Sequence, residues 1–207
     1  MKYYNTIIFD FDGTIADSYL VTYRIYNELA QKHNLRPIPE SDIPILRTMK
    51  PFELLSYFHI PFHKIPFLLF EGRNLFKKYV HELKPIPGIK GVLEQLHKTY
   101  QLGILTSNNA ENVEYFLKKH TLELFDFIHS EKNLFGKDTA LLHLIEKHGL
   151  EKSKTMYVGD EVRDIQSCQK IQMSIISVAW GFNEAGILGK QHPSYLIQHP
   201  EEMLNIL

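Results

Sequence analysis

An α/β fold, a doubly wound parallel sheet with a helical insertion after its first strand, is predicted for this chain by three observations. The chain opens almost at once on an apolar run, Ile7-Ile8-Phe9, which ends in Asp10-Phe11-Asp12-Gly13-Thr14. From Gly88 onward, strand-like apolar runs alternate regularly with segments of helical period. Between roughly Ala16 and Pro87 that alternation stops and proline-broken helical pattern takes its place.

Ile7 to Phe9 is β-branched and aromatic, reads as a buried strand, and is stopped by Gly13. Ser18 to Lys32 and Leu69 to Leu83 read as helices, with Pro37, Pro39, Pro44, Pro51, Pro61 and Pro66 punctuating the stretch between them. Pro85-Ile86-Pro87-Gly88 marks the return from the insertion. Ile89, Val92, Leu93 and Leu96 then keep a helical spacing, and Leu102 to Leu105 reads as a strand. A helix around Val113, Phe116 and Leu117 leads to a short strand at Phe127-Ile128. Leu141, Leu142, Leu144 and Ile145 mark the next helix, and Met156-Tyr157-Val158 the next strand. A helix from about Val162 to Ile171 leads to the strand Ile175 to Val178. The division expected is an α/β core of residues 1–15 and 86–207, with residues 16–85 inserted.

Composition narrows the function. The chain has 207 residues, enough for one such domain plus an insertion. A net charge of −1 gives no basic surface for nucleic acid. Cys168 is the single cysteine, so no intrachain disulfide forms and a reducing compartment is expected. The longest apolar stretch, Ile65 to Phe70, is too short to span a bilayer, and no secretory leader is expected. The expectation is a soluble, cytoplasmic protein, monomer or homodimer, without a nucleic-acid or membrane partner.

In an open α/β sheet the site lies beyond the carboxyl ends of the strands. The first strand ends in Asp10 and Asp12, two positions apart and therefore expected to point the same way. The Ile104-Leu105 strand ends in Thr106-Ser107-Asn108, small polar groups opening a helix whose free amides suit an anion. Lys137 stands before the next helix, and the Tyr157-Val158 strand ends in Gly159-Asp160-Glu161 with Asp164 beyond. Each has a plain structural reading: Asn108 or Asn109 as a helix cap, Lys137 as a solvated lysine, Glu161 and Asp164 as first-turn charges. Their joint placement at successive strand ends favours chemistry. Several carboxylates on one face suit Mg²⁺, and a lysine and hydroxyl beside them suit an anionic group. A carboxylate nucleophile with a second acid beside it fits phosphoryl transfer.

These residues resemble the haloacid dehalogenase superfamily, in its phosphoglycolate-phosphatase-like branch, whose core is Rossmann-like. The resemblance covers essentially the whole chain. Asp10 to Thr14 resembles the first motif, which implies Asp10 as nucleophile and Asp12 as general acid/base. Ile104 to Ser107 resembles the second, implying that Thr106, with Ser107, Asn108 and nearby amides, binds the phosphoryl group. Lys137, in Phe135-Gly136-Lys137, resembles the third-motif lysine, which steadies nucleophile and phosphate. Gly159-Asp160 with Asp164 resembles the fourth, implying Asp160 as a metal ligand and Asp164 as a supporting or indirect one. The resemblance further implies Mg²⁺ on the Asp10 carboxylate and the Asp12 backbone carbonyl. It makes residues 16–85 a helical cap, with a specificity loop around Leu46 to Lys50 in which Arg47 and Lys50 either read an anionic substrate or form a solvated cap surface. Trp180-Gly181 also fits that branch.

Asp138 after Lys137 and Glu161 after Asp160 depart from the branch's usual Pro and Ser, which loosens the step to phosphoglycolate. Tyr57, Phe58, His59, Phe62 and His63 in the cap allow a larger or aromatic substrate, and read equally well as core. The function expected is therefore a Mg²⁺-dependent phosphatase of small phosphorylated metabolites working through an aspartyl-phosphate. A phosphomutase of the same fold, and a non-catalytic phosphate- or partner-binding member, stand as alternatives.

Overall fold

The computed structural model describes residues 3–131 and 136–207. Phe135, which the sequence places in the third motif, lies outside the described residues. The chain enters through β1 (Thr6–Phe9), turns into the short β2 (Ala16–Asp17), and continues as helices α1 (Tyr19–His33), α2 (Ile43–Leu46), α3 (Pro51–Tyr57) and α4 (Ile65–Tyr79). It returns through β3 (Lys84–Pro85) to α5 (Ile89–Leu96), β4 (Gln101–Thr106), α6 (Ala110–His120) and β5 (Phe127–Ser130). Then follow α7 (Lys137–Lys147), β6 (Thr155–Gly159), α8 (Val162–Lys170), β7 (Ser174–Val178), α9 (Ala185–Gly189), β8 (Tyr195–Ile197) and α10 (Met203–Ile206).

Among the described residues six strands form one sheet in the order β5-β4-β1-β6-β7-β8, and every pairing in it is parallel. β1 is central, and all four of its residues are buried. Its alternation serves both faces of the sheet. Ile7 and Phe9 pack into the layer that contains α5 and α6 through Leu93 and Phe116, whereas Ile8 packs with α7 and α8 through Leu141 and Ile165. The chain works outward from β1 to β4 and β5, then crosses back to lay β6 on the other side of β1. That reversal opens a crevice at the carboxyl ends of β4, β1 and β6.

The insertion leaves and re-enters through one gap. β2 and β3 pair antiparallel, Ala16 with Pro85 and Asp17 with Lys84, so both ends of the helical segment are tied together at the sheet's rim. Within it α1 and α4 face each other, and Ile25, Leu29 and Phe76 continue the core layer of α5 and α6. The prolines that read as breaks instead begin helices: α2, α3 and α4 each carry proline in the first two positions. A first-turn N–H has no partner inside the helix, so its loss to proline costs nothing there. For this reason α4 starts at Ile65 rather than at the expected Leu69. β8 was absent from the sequence pattern because two of its three residues are exposed and only Ile197 is buried.

Candidate active site

Directly after β1 the backbone curls around the carbonyl of Phe11, which accepts from the amides of Thr14, Ile15 and Ala16 at 3.3, 2.9 and 3.0 Å. Gly13 makes the curl possible with φ of +77°. Phe11 packs edge-on against Phe116, anchoring the turn in the core while Asp10 and Asp12 face the crevice.

Asp10 is 3% exposed. One carboxylate oxygen accepts from the Phe11 amide at 2.7 Å and the other from Lys137 Nζ at 2.6 Å. Lys137, at the start of α7, also pairs with Asp164 of α8, whose second oxygen accepts from the Glu161 amide at 3.0 Å. Asp160 follows β6 and is fully buried. It accepts from the Thr14 hydroxyl at 2.9 Å and the Phe182 amide at 2.6 Å. Oxygens of Asp10, Asp160 and Asp164 all lie within 4.8 Å of one another. Space for these carboxylates is kept by missing side chains. A Cβ at Gly13 or Gly181 would collide with Asp160, and one at Gly159 with Asp164.

Asp12 differs from its neighbours. Asn108 donates from Nδ2 to Asp12 Oδ2 at 3.0 Å, while Asp12 Oδ1 is buried and, among the described residues, without a hydrogen-bond partner. Asn108 is itself fixed, its Oδ1 accepting from Asn109 N and Asn112 Nδ2 at 2.8 and 2.9 Å. The Thr106 hydroxyl accepts from the Asn108 amide at 2.9 Å, so that amide is used inside the turn. Ser107 is half-buried at the mouth of a cavity that Asp12 and Asn108 also line.

Electrostatically the cluster is short of positive charge. Burial pushes Asp10 up to about 6 against the pull of Lys137, and the charge of Asp164 adds to the rise. Burial, then the charge of Asp10, pushes Asp12 up to about 7. Asp160 is raised well above the carboxylate range by burial and by Glu161, Asp10 and Asp164. Burial works against the charge of Lys137, but Asp10 and Asp164 outweigh it and hold the ammonium above the usual lysine range. Arg163 of α8 is engaged by Glu161, with contacts of 2.9 and 2.5 Å. Three buried carboxylates around one buried ammonium, with Asp12 beside them, form a donor set that fits a hard divalent cation.

The raised carboxyls carry a stability prediction. As pH rises from about 4, the unfolded chain loses the Asp10 and Asp12 protons first, while the fold holds them to about 6 and about 7. The folded state then binds more protons than the unfolded one, so these groups lower stability across that window. A carboxyl held one pH unit above its unfolded value costs the fold roughly 1.4 kcal/mol at most. Asp12→Asn, which never ionises, should therefore raise the Tm of metal-free protein at pH 8 relative to wild type and change it little at pH 4. Thermal melts at the two pH values check this, and an equal Tm difference at both would contradict it.

The sequence-derived residues fall into two groups. Asp10, Lys137, Asp160 and Asp164 come together in the crevice, with Asp12 held by Asn108 beside them. Arg47 stands apart. Its guanidinium donates to the Ala179 carbonyl at 2.9 Å and lies over the Tyr19 ring, 5.5 Å from the centroid.

Asn183 gave no sign of itself in the sequence. It is 4% exposed and uses its whole side-chain amide. Oδ1 accepts from the Val162 amide at 2.9 Å, and Nδ2 donates to the carbonyls of Arg47 and Met49 at 3.2 and 3.1 Å. One residue thus clips the loop before α3 to the acidic turn before α8. An asparagine outside any motif gives no signal of such a role. Thr14, the hydroxyl donor to Asp160, was legible only as part of the first motif.

Comparison with known proteins agrees with the fold. The haloacid dehalogenase-like hydrolase family matches residues 7–178, and the chain belongs to it. Within that family it falls in the phosphoglycolate-phosphatase-like branch. It is 32% identical to phosphoglycolate phosphatase of Synechococcus elongatus over 200 residues, covering 96% of this chain and 94% of that one. It is 24% identical to pyrophosphatase PpaX of Oceanobacillus iheyensis over 213 residues, covering 98% and 96%. A haloacid dehalogenase-like hydrolase from Streptococcus pneumoniae shares the fold with a TM-score of 0.82 at 22% identity, over 100% of this chain and 99% of that one. Among the described residues no helix is long and apolar enough to cross a membrane.

Proposed function

We propose that this protein is a Mg²⁺-dependent phosphatase of small phosphate monoesters that works through an aspartyl-phosphate on Asp10. The supporting observation is Asp10 itself, buried at a strand end with one oxygen 2.6 Å from Lys137 Nζ and with Asp160 and Asp164 beside it. In this reading Asp10, Asp160 and the Asp12 carbonyl hold the cation, with Asp164 in support. When bound, the cation supplies positive charge against the phosphoryl oxygens.

The protein's own groups divide the work. Lys137 neutralises Asp10 in the resting site and would stabilise charge on the transferring phosphoryl group. Asp10 attacks phosphorus, the ester P–O bond breaks, and Asp12 gives its proton to the departing oxygen. Asn108 holds Asp12 Oδ2, which leaves the partnerless Oδ1 to carry that proton. Water then attacks the phosphorus of the aspartyl-phosphate, Asp12 takes a proton from it, and phosphate leaves with Asp10 restored. Thr106 orders the turn on the phosphate side through the Asn108 amide. Residues 16–85 act as a cap over a core of 1–15 and 86–207, excluding water during transfer.

Phosphate release from a panel of phosphomonoesters, with and without Mg²⁺, tests the proposal. Release should require the cation, and Asp160→Ala should raise the Mg²⁺ needed and lower the rate by about 10- to 100-fold. Activity undiminished by chelation would overturn the metal role. Silence toward every ester, with phosphoryl exchange once a bisphosphate primer is added, would replace the phosphatase by a mutase.

A further inference from the structure

The same crevice carries information about the alcohol part of the substrate. A cavity of about 640 Å³ begins at Asp12 and Asn108 and runs into the helical insertion between α1, α3 and α4. Its walls in the insertion are aliphatic and aromatic, among them Ile25, Leu29, Leu54, Leu68 and Phe76, whereas its core-side wall is polar, from Asp138, Glu161, Arg163 and Lys170. The glycolate ester of phosphate has about nine non-hydrogen atoms. At the share of roughly 30 Å³ that a water molecule takes in the liquid, they fill less than half of this volume. Sites whose walls are largely apolar with a few polar groups at one end suit ligands of the same make-up.

We propose that the substrate is a phosphate monoester whose alcohol part is larger and more apolar than glycolate, its phosphoryl group at Asp10 and its aliphatic or aromatic body between α1 and α4. This rests on the phosphatase reading and sharpens it to a substrate class. Two observations argue for the leaving group as occupant. The cavity is continuous with Asp12, the group that protonates the leaving oxygen, and no other part of a bound ester extends from that oxygen. Lys50 and Arg73 are the cavity's basic residues on the cap side, and both chemistries can coexist in one ligand that is polar near the ester and apolar beyond it.

Gly72 gives the test a handle. It sits within α4 on the cavity wall, and a Cβ there would meet Leu29 and Ile25 at 3.7 and 3.8 Å, ordinary contact. Because Gly72, Ile25 and Leu29 all line the cavity, a larger side chain at position 72 is expected to take up part of it, while replacing glycine inside a helix favours folding. Rates are to be compared for phosphoglycolate, hexyl phosphate and phenyl phosphate with Mg²⁺ present. In the wild-type protein, kcat/KM should be at least about tenfold higher for one of the two apolar esters than for phosphoglycolate. In Gly72→Leu the ratio of apolar ester to phosphoglycolate should fall about tenfold, chiefly through KM. Leu54→Phe, which narrows the cavity from α3, should move the ratio the same way and serves if Gly72→Leu does not fold.

Preference for phosphoglycolate, with a ratio indifferent to both substitutions, would overturn the inference and leave the phosphatase standing. Absence of Mg²⁺- and Asp10-dependent release from every ester would instead remove the phosphatase reading beneath it.

Discussion

Replacing Asp10 by asparagine should reduce phosphate release by about four orders of magnitude or more, the scale on which loss of a nucleophile acts. An amide oxygen is too weak a nucleophile to displace an alkoxide from phosphorus. The fold should survive the change. Lys137 keeps its second partner, Asp164, and the side chain keeps its volume and an oxygen that can face the ammonium. The substitution also removes one of the carboxylates that burial holds at a raised pKa, a small relief. Intact-mass measurement after rapid quenching should find one added phosphate on the wild-type chain and none on Asp10→Asn. A variant retaining a tenth of wild-type turnover, or still gaining the phosphate, would assign the nucleophile elsewhere.

Asp12→Asn should separate two kinds of ester. For alkyl phosphates, whose leaving oxygen needs a proton, kcat should fall by about 10² to 10⁴-fold. For 4-nitrophenyl phosphate the leaving group departs as a stable anion, so formation of the aspartyl-phosphate should be far less affected. Hydrolysis of that intermediate still needs a base, and the phosphorylated chain should then accumulate. The geometry makes this substitution clean. Asn108 donates to Oδ2, so the asparagine oxygen can take that place and its amide nitrogen the partnerless position of Oδ1. Equal losses for alkyl and nitrophenyl esters in the first step would refute the proton-donor role.

The sequence made some of this legible for identifiable reasons. Asp10 and Asp12 were readable because an apolar run that ends in acids and glycine must stop being a strand there. Lys137, Asp160 and Asp164 were readable because parallel strands put their carboxyl ends on one side. What stayed hidden depends on contacts across space. The glycines at 159 and 181 are required by the side chains of Asp164 and Asp160, and nothing in their own neighbourhoods announces that. Arg47 read as an anion receptor, yet its guanidinium reaches the Ala179 carbonyl, an acceptor 132 positions away that no local pattern predicts. The cavity is invisible for the same reason. Leucines lining it have the helical spacing of any buried face, and only the packing of α1, α3 and α4 leaves the space between them open.

The central place of β1 has a consequence in time. Asp10 is made well before the strands that flank its own, because β1 takes its place between β4 and β6, pairing Thr6 with Gln101 on one side and Thr155 on the other. Its partner Lys137 follows 127 residues later, and the contact of Thr14 with Asp160 spans 146. Closing loops of that length is slow compared with forming helices such as α1 and α4. Asp10 is therefore synthesised before the groups that position it, and a growing chain carries its helical insertion before the crevice at the strand ends has formed.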